Sequence, residues 1–512
     1  MGSMTSYRAT SYQYDANYNR TSLQDGQGNS TSYTYDNDNR LTEVATGGAT
    51  TSLIYDDVGN RTQKTLPNGA YTSYTYNSRN WLTNLYNRKS DATLISSYAY
   101  GHDYVGNRTS MTEANGDVTS YAYDNVYRLG GETKRDSGNN MLYRYQYTHS
   151  LCAQGRLYDG VGNRVTMTRS TSSEPALRVA KGQANTGQVS YTYDANNKLT
   201  QLVGPGGTTT FGYDNNGNTI RMTTPTTTWN YGYDYENRLV SATDNVNYTA
   251  AYTYAGDGLR LRVQESNNPN PDRWFQYDGV RPVLEGTLSG NTFTTVNRYA
   301  WEGDFYYDPL VFACIGGSNR YYLYDALGST RQLVEASQTV TDSYSYEAFG
   351  NLMGSTGSTA NPYRYVGSLG YYQTGSSLMH LGARYYMPEV GRFVQRDQLR
   401  GASPYVYVDG RPTLFADPNG EFPFIVIPIV IGGGVVIWQG YECVQAARWW
   451  AKCFDLELSI ARDIRKQYED IYMEHCRTDK DIDALAWQRA NRTKTCRTYR
   501  DYEEKCWIHY VL

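Results

Sequence analysis

The stretch YTYDNDNRL, Tyr33–Leu41, returns as YTYDANNKL at Tyr191–Leu199 and as YGYDYENRL at Tyr231–Leu239. Side chains alternate along a strand, so Tyr-x-Tyr puts both rings on one face and a Thr, Ser or Gln on the other. The acid that follows opens a segment such as DVGNR (Asp57–Arg61) or YVGNR (Tyr104–Arg108). Asp and Asn bond back to nearby backbone and Gly accepts positive φ, so the chain reverses there. Each copy therefore reads as strand, tight turn and returning strand, with the next copy hydrogen-bonded alongside.

Aligning the second tyrosines gives Tyr14, Tyr35, Tyr55, Tyr76, Tyr100, Tyr123 and Tyr147, then Tyr193, Tyr213, Tyr233, Tyr254 and Tyr277, and finally Tyr324 and Tyr346. Most neighbours are about twenty positions apart or slightly more, the signature of an array. Composition agrees with an all-β chain: 53 Tyr and 48 Gly stand among 512 residues, with only 19% charged. That much Tyr supplies the apolar area that a disordered chain lacks. The net charge of −4 and the lack of a Lys/Arg run argue against nucleic acid as a partner of the repeats. The opening MGSM reads as an expression scar, and no charged segment followed by an apolar one succeeds it. The pattern lapses between Thr168 and Val189 and again over Asn267–Asp272, both read as surface insertions.

The recurring YxYDxxGNRL pattern resembles the tyrosine-aspartate repeats of the rearrangement-hotspot (RHS) family, found also in teneurins and in C components of insecticidal toxin complexes. The resemblance runs from about Tyr12 to Gly420. It implies an all-β fold, a spiral of repeat hairpins forming a hollow shell, closed by an RHS-associated core. A wall around a cavity would have two solvated faces and little conventional core, so ladders of amphipathic rings would have to hold its strands.

Past Tyr346 the pattern changes. Pro362–Glu421 resembles the RHS-associated core, matching at Arg384, Tyr385, Tyr386, Pro388, Gly391, Arg392, Phe393, Arg396, Asp397, Tyr405, Tyr407, Pro412, Asp417, Pro418 and Gly420. In several relatives this core is an aspartyl autoprotease that cuts just after a DPxGL motif. The resemblance assigns the acids to Asp397 and Asp417, Arg396 beside the first, and the cut to Gly420, Glu421 and Phe422. Two carboxylates held together cannot both ionise cheaply, so one keeps a proton while the other activates water, and an adjacent guanidinium would separate the roles. The chain departs from the family at Met387, at Gln398 and at Glu421, where the cleavage-site Leu is expected. The alternative is that Asp397 and Asp417 only cap turns.

The final segment differs in character. FPFIVIPIVIGGGVVIW, Phe422–Trp438, is apolar but short and interrupted by Pro and Gly, which favours a buried or extended segment over a spanning helix. Residues 439–512 carry helical periodicity through Ile460, Ile464, Tyr468 and Ile471. Cys443 and Cys453 are separated by nine residues, as are Cys496 and Cys506. Bridges Cys443–Cys506 and Cys453–Cys496 between two helices are therefore candidates, with buried thiols as the alternative. The spacings do not suit zinc, and no cofactor or metal site is expected.

These readings divide the chain into repeat shell (1–361), core (362–421), apolar linker (422–438) and a small Cys-containing helical domain (439–512). The leading expectation is a bacterial, secreted or cell-surface monomer whose shell encloses its own C-terminal segment as cargo. A secretion or delivery apparatus would be its partner, and a membrane would be met only by 422–438 after release. The competing expectation is an extracellular, teneurin-like scaffold that is never cut.

Overall fold

The computed structural model describes residues 10–148, 158–159, 162–171, 187–268, 270–290, 292–303, 309–397, 404–421 and 424–425. Thirty strands, β1 (Ser11–Tyr14) through β30 (Leu352–Thr356), form one sheet in which each strand pairs antiparallel with the next. The chain thus builds a long β-meander, as the repeat predicts.

The turn after each Tyr-x-Tyr explains why the copies fold alike. At Asp36 the carboxylate accepts the N–H groups of Asp38 and Arg40, both at 2.9 Å, while the Asp36 N–H donates to the Arg40 carbonyl. Asn39 closes the loop with φ of 60°, and in the copy at Asp56 a glycine, Gly59, takes the same left-handed place with φ of 90°. Asn and Gly are the residues that tolerate this conformation. Neighbouring turns are stitched by amides: Asn60 Nδ2 donates to Asn80 Oδ1 at 3.2 Å, and Asn218 Nδ2 to Asn237 Oδ1 at 2.8 Å. Where a leucine follows the turn it is buried, as at Leu41, Leu199 and Leu239.

The two tyrosines of a copy have different duties. The first, as at Tyr33, Tyr191 and Tyr231, is buried in the apolar interior. The second sends its hydroxyl back to the copy before: Tyr55 donates to the Leu41 carbonyl at 2.8 Å, Tyr76 to Arg61 at 2.8 Å, Tyr233 to Thr219 at 2.9 Å and Tyr254 to Leu239 at 2.7 Å. The expected aromatic ladder is a mixed one, because basic side chains of the preceding turn lie on these rings. Arg40 is 5.3 Å from the Tyr55 centroid and Arg238 is 5.1 Å from that of Tyr254, within cation–π range. Phe could supply the ring but not the hydroxyl. Tyr55→Phe should therefore cost about 1 kcal/mol, the ordinary net value of one hydrogen bond, read as a lower urea midpoint with an unchanged slope.

The wall also closes on itself. Arg20 Nη1 lies 2.7 Å from Asp278 Oδ2, Arg61 Nη2 2.6 Å from Glu302 Oε2, and Arg331 Nη2 3.0 Å from Glu113 Oε1. Those pairs are 258, 241 and 218 residues apart in sequence. A ribbon of consecutive hairpins that meets itself at such separations is a spiral.

The expectation of a wall with little conventional core is corrected. One continuous apolar cluster runs from Leu23 in the first repeats to Ala416 in the core segment. Core rings pack edge-on against wall rings, Tyr363 on Tyr299 at 5.0 Å and Tyr372 on Phe275 at 5.8 Å. The wall face against the core segment is buried, and wall arginines such as Arg260 and Arg273 meet core tyrosines there. The described residues of the insertion over Asn267–Asp272 connect β22 (Arg260–Glu265) to β23 (Asp272–Asp278), with Asn267 and Pro271 exposed. The helical expectations, the cysteine pairs and the bulk of Phe422–Trp438 lie outside the described residues.

Candidate active site

Beyond the wall, four short strands, β31 (Tyr372–Gln373), β32 (Met379–Leu381), β33 (Arg384–Met387) and β34 (Arg392–Phe393), form a small antiparallel sheet. β35 (Phe415–Ala416) pairs with β36 (Phe424–Ile425), so the chain from Asp417 onward makes a hairpin bend through Gly420 and Glu421. Two glycines let this bend lie against the turn from β32 to β33. A Cβ on Gly382 would come within 2.5 Å of the Asn419 carbonyl oxygen, and one on Gly420, whose φ is 72°, would collide with the Leu381 carbonyl. The Asn419 carbonyl accepts the Ala383 N–H at 2.9 Å, fixing that approach.

The bend brings the two predicted acids to one guanidinium. Arg384 Nη2 lies 3.0 Å from Asp397 Oδ2 and 3.4 Å from Asp417 Oδ2, with all three side chains buried. The same arginine donates from Nε to the Gly420 carbonyl and from Nη1 to the Pro404 carbonyl at 3.3 Å. Its guanidinium carbon sits 3.6 Å from the Phe393 ring centroid, a stacking that fixes the fork's orientation. Asp397 is further held by its N–H on the Pro404 carbonyl at 2.9 Å. Asp417 donates its N–H to the Tyr371 hydroxyl at 2.6 Å, and that hydroxyl is 2.8 Å from the hydroxyl of Tyr407.

Sequence reasoning gave the guanidinium's part to Arg396, and the structure places that residue elsewhere. Arg396 is exposed, its side chain against Gly217, where a Cβ would meet its Cδ at 3.3 Å. Arg384, Tyr371 and Tyr407 are the residues that sequence reasoning missed in this role. The motif match contained Arg384 and Tyr407, but nothing in a motif says which loop faces which. Met387, which stands where the family has Asp, is buried and pairs with Arg392. Gln398 and Phe422 lie outside the described residues. Glu421 is partly exposed to solvent, and burial together with the charge of Asp397 pushes its carboxyl above the ordinary range, with Arg384 pulling the other way.

Chemically, the arrangement joins two carboxylates, one fixed cation and a backbone carbonyl at a bend. A guanidinium on a carbonyl oxygen stabilises negative charge developing there.

The family model described as RHS Repeat matches residues 55–90 and 193–228. The chain carries RHS repeats over those residues. The RHS wall superposes on the crystal structure of TcdB2–TccC3 with a TM-score of 0.62 at 19% identity, over 80% of this chain and 22% of that one. The fold is likewise similar to that in a structure of the Photorhabdus luminescens Tc holotoxin pore, with a TM-score of 0.63 at 19% identity, over 82% of this chain and 22% of that one. Among curated proteins, the chain is 27% identical over 309 residues to the tRNA3(Ser)-specific nuclease WapA of Bacillus spizizenii, 57% of this chain and 12% of that protein. It is 39% identical over 77 residues to the toxin protein Tse5 of Pseudomonas aeruginosa, 14% of this chain and 5% of that protein. The chain thus spans about an eighth or less of the length of these curated relatives.

Proposed function

We propose that this chain is the shell and core of a bacterial RHS toxin, exported or displayed at the cell surface, that encloses its own segment beyond residue 421 and severs it by self-proteolysis within Gly420–Phe422. The observation that carries the reading is the single guanidinium of Arg384, which touches the Gly420 carbonyl and both acids at once. In the reaction one of Asp397 and Asp417 takes a proton from water as the water attacks a backbone carbonyl at the bend. Arg384 steadies the oxyanion, and the other acid gives its proton to the departing amine. The toxin names of the relatives and the toxin assemblies with this shell support the same reading. A delivery apparatus is the partner such a particle requires.

Intact mass spectrometry of the purified full chain tests it. Incubation should yield two fragments whose masses add to that of the chain plus one water, cut between Gly420 and Phe422. Asp397→Asn should slow their appearance by at least ~100-fold, the usual yield of general acid–base help. A full-length mass that persists through long incubation would overturn self-proteolysis and leave Arg384, Asp397 and Asp417 as a structural lock in an uncut scaffold.

A further inference from the structure

A second pair of buried acids lies away from the cleavage bend, where the last repeat turn meets the early wall. Glu347 stands at the position that is Asp in most copies, directly after Tyr346. Its Oε1 accepts the Asn351 N–H at 2.8 Å and its Oε2 accepts the Phe349 N–H at 3.0 Å, so it caps its own turn. Glu132, on β12 (Leu129–Arg135), reaches across 216 residues of sequence and accepts the next amide, that of Ala348, at 2.7 Å. Its other oxygen is 2.7 Å from the Tyr143 hydroxyl. Glu132 is 2% and Glu347 3% exposed. Two carboxyl groups thus sit on consecutive backbone amides in an interior closed to water, where like charges repel strongly.

Few cations compensate them. Lys134, also on β12, is taken up by Glu113 at 2.9 Å and Asp117 at 3.4 Å, and acts on Glu132 only from a distance. Arg164 acts on Glu347, but its guanidinium is stacked between Tyr147 at 4.2 Å and Phe349 at 4.3 Å, and donates to Tyr191. The other titratable groups facing the pair are phenols: Tyr121, Tyr123, Tyr143, Tyr145 and Tyr147 from the wall and Tyr365 and Tyr386 from the core.

The turn these acids hold is also where the core is fastened. Tyr386 donates to the Phe349 carbonyl at 2.7 Å, Tyr365 to the Ala348 carbonyl at 2.8 Å, and Asn351 Nδ2 to the Pro388 carbonyl at 2.9 Å. We propose that Glu132 and Glu347 share one proton and so form a pH-sensitive latch, which fastens the last repeat turn and the core to β12 when protonated and loosens when the proton leaves. In the protonated state the O–H of Glu132 turns to the Tyr143 oxygen while its carbonyl oxygen keeps the Ala348 N–H. Burial, then the charge of Glu347, pushes the Glu132 carboxyl up to about 8, and burial raises Glu347 as well.

The sign follows from linkage. An acid whose folded pKa is raised gives its full stabilisation below the ordinary 4.5 and loses it as pH climbs to about 8, above which the loss is constant. Thermal unfolding of the full chain from pH 4.5 to 9.5 tests this, with Glu132→Gln, whose amide copies the protonated acid by donating to Tyr143 and accepting from Ala348. The expected result is that wild type falls progressively below Glu132→Gln up to pH about 8, by on the order of 5 °C, after which the curves run parallel. Parallel curves throughout would overturn the latch. Should Glu132→Gln fail to fold, hydrogen exchange of wild type over residues 345–352, corrected for intrinsic rates, decides: protection must drop as pH passes about 8. Constant protection would refute it.

Discussion

Arg384→Ala should be among the most damaging single changes in this protein, costing about 3–5 kcal/mol, because it removes the cation that Asp397 and Asp417 share and leaves negative charge unpaired in a closed interior. The same change frees the Gly420 carbonyl and the Pro404 carbonyl from their donor and empties the space over Phe393. Arg384→Lys keeps a charge but cannot hold two acids and two carbonyls with one fork, so it should recover only part of the loss. Urea unfolding of the three proteins measures this. A midpoint for Arg384→Ala close to wild type would mean that the acids are not ion-paired as described. If the chain cleaves itself, both variants should also cleave more slowly, and an assay at low denaturant separates that effect from instability.

Glu302→Ala should cost a comparable amount, about 3–5 kcal/mol, at a site where the spiral closes on itself. Glu302 holds Arg61 at 2.6 Å and Lys64 at 3.3 Å, and all three side chains are buried. Without the acid, two cations remain in the wall with no carboxylate. Burial acts to raise the Glu302 carboxyl, but Arg61 and Lys64 together hold it below its ordinary 4.5. A depressed acid gives its stabilisation above the unfolded pKa and loses it as pH falls through the folded one, so this closure should weaken only at acid pH. Comparing wild type and Glu302→Ala by thermal unfolding between pH 7 and 3 gives the check: the gap should be widest at neutral pH and shrink toward the acid end. A gap that does not change with pH would refute the ionic account.

The two buried acidic sites pull in opposite directions on the pH axis. The Glu302 closure is strongest at neutral pH, where the Glu132–Glu347 latch has already lost most of its contribution. The difference lies in their neighbours, since two buried cations face Glu302, whereas another acid faces Glu132.

Much of the wall is local and was legible. The Asp that accepts two amides of its own turn, the Asn or Gly that takes the left-handed place after it, and the buried Leu that follows all lie within a single repeat. The long-range partners were not. Arg396 looked like the partner of Asp397 because it is next to it in sequence, yet neighbours in an extended segment point to opposite sides. Arg396 therefore faces solvent beside Gly217 while Asp397 turns inward to Arg384, farther back along the chain. Tyr371 and Tyr407 were equally hidden, since they reach Asp417 only because the core segment folds back on itself.

By itself, the sequence determined the repeat and its antiparallel order, because each follows from side-chain alternation and turn chemistry within a short span. Only the tertiary structure decided which cation meets Asp397 and Asp417, where the spiral meets itself and which distant acid faces the glutamate of the last turn. Those outcomes depend on side chains brought together from distant repeats, and no local spacing encodes which face of one loop will meet which face of another.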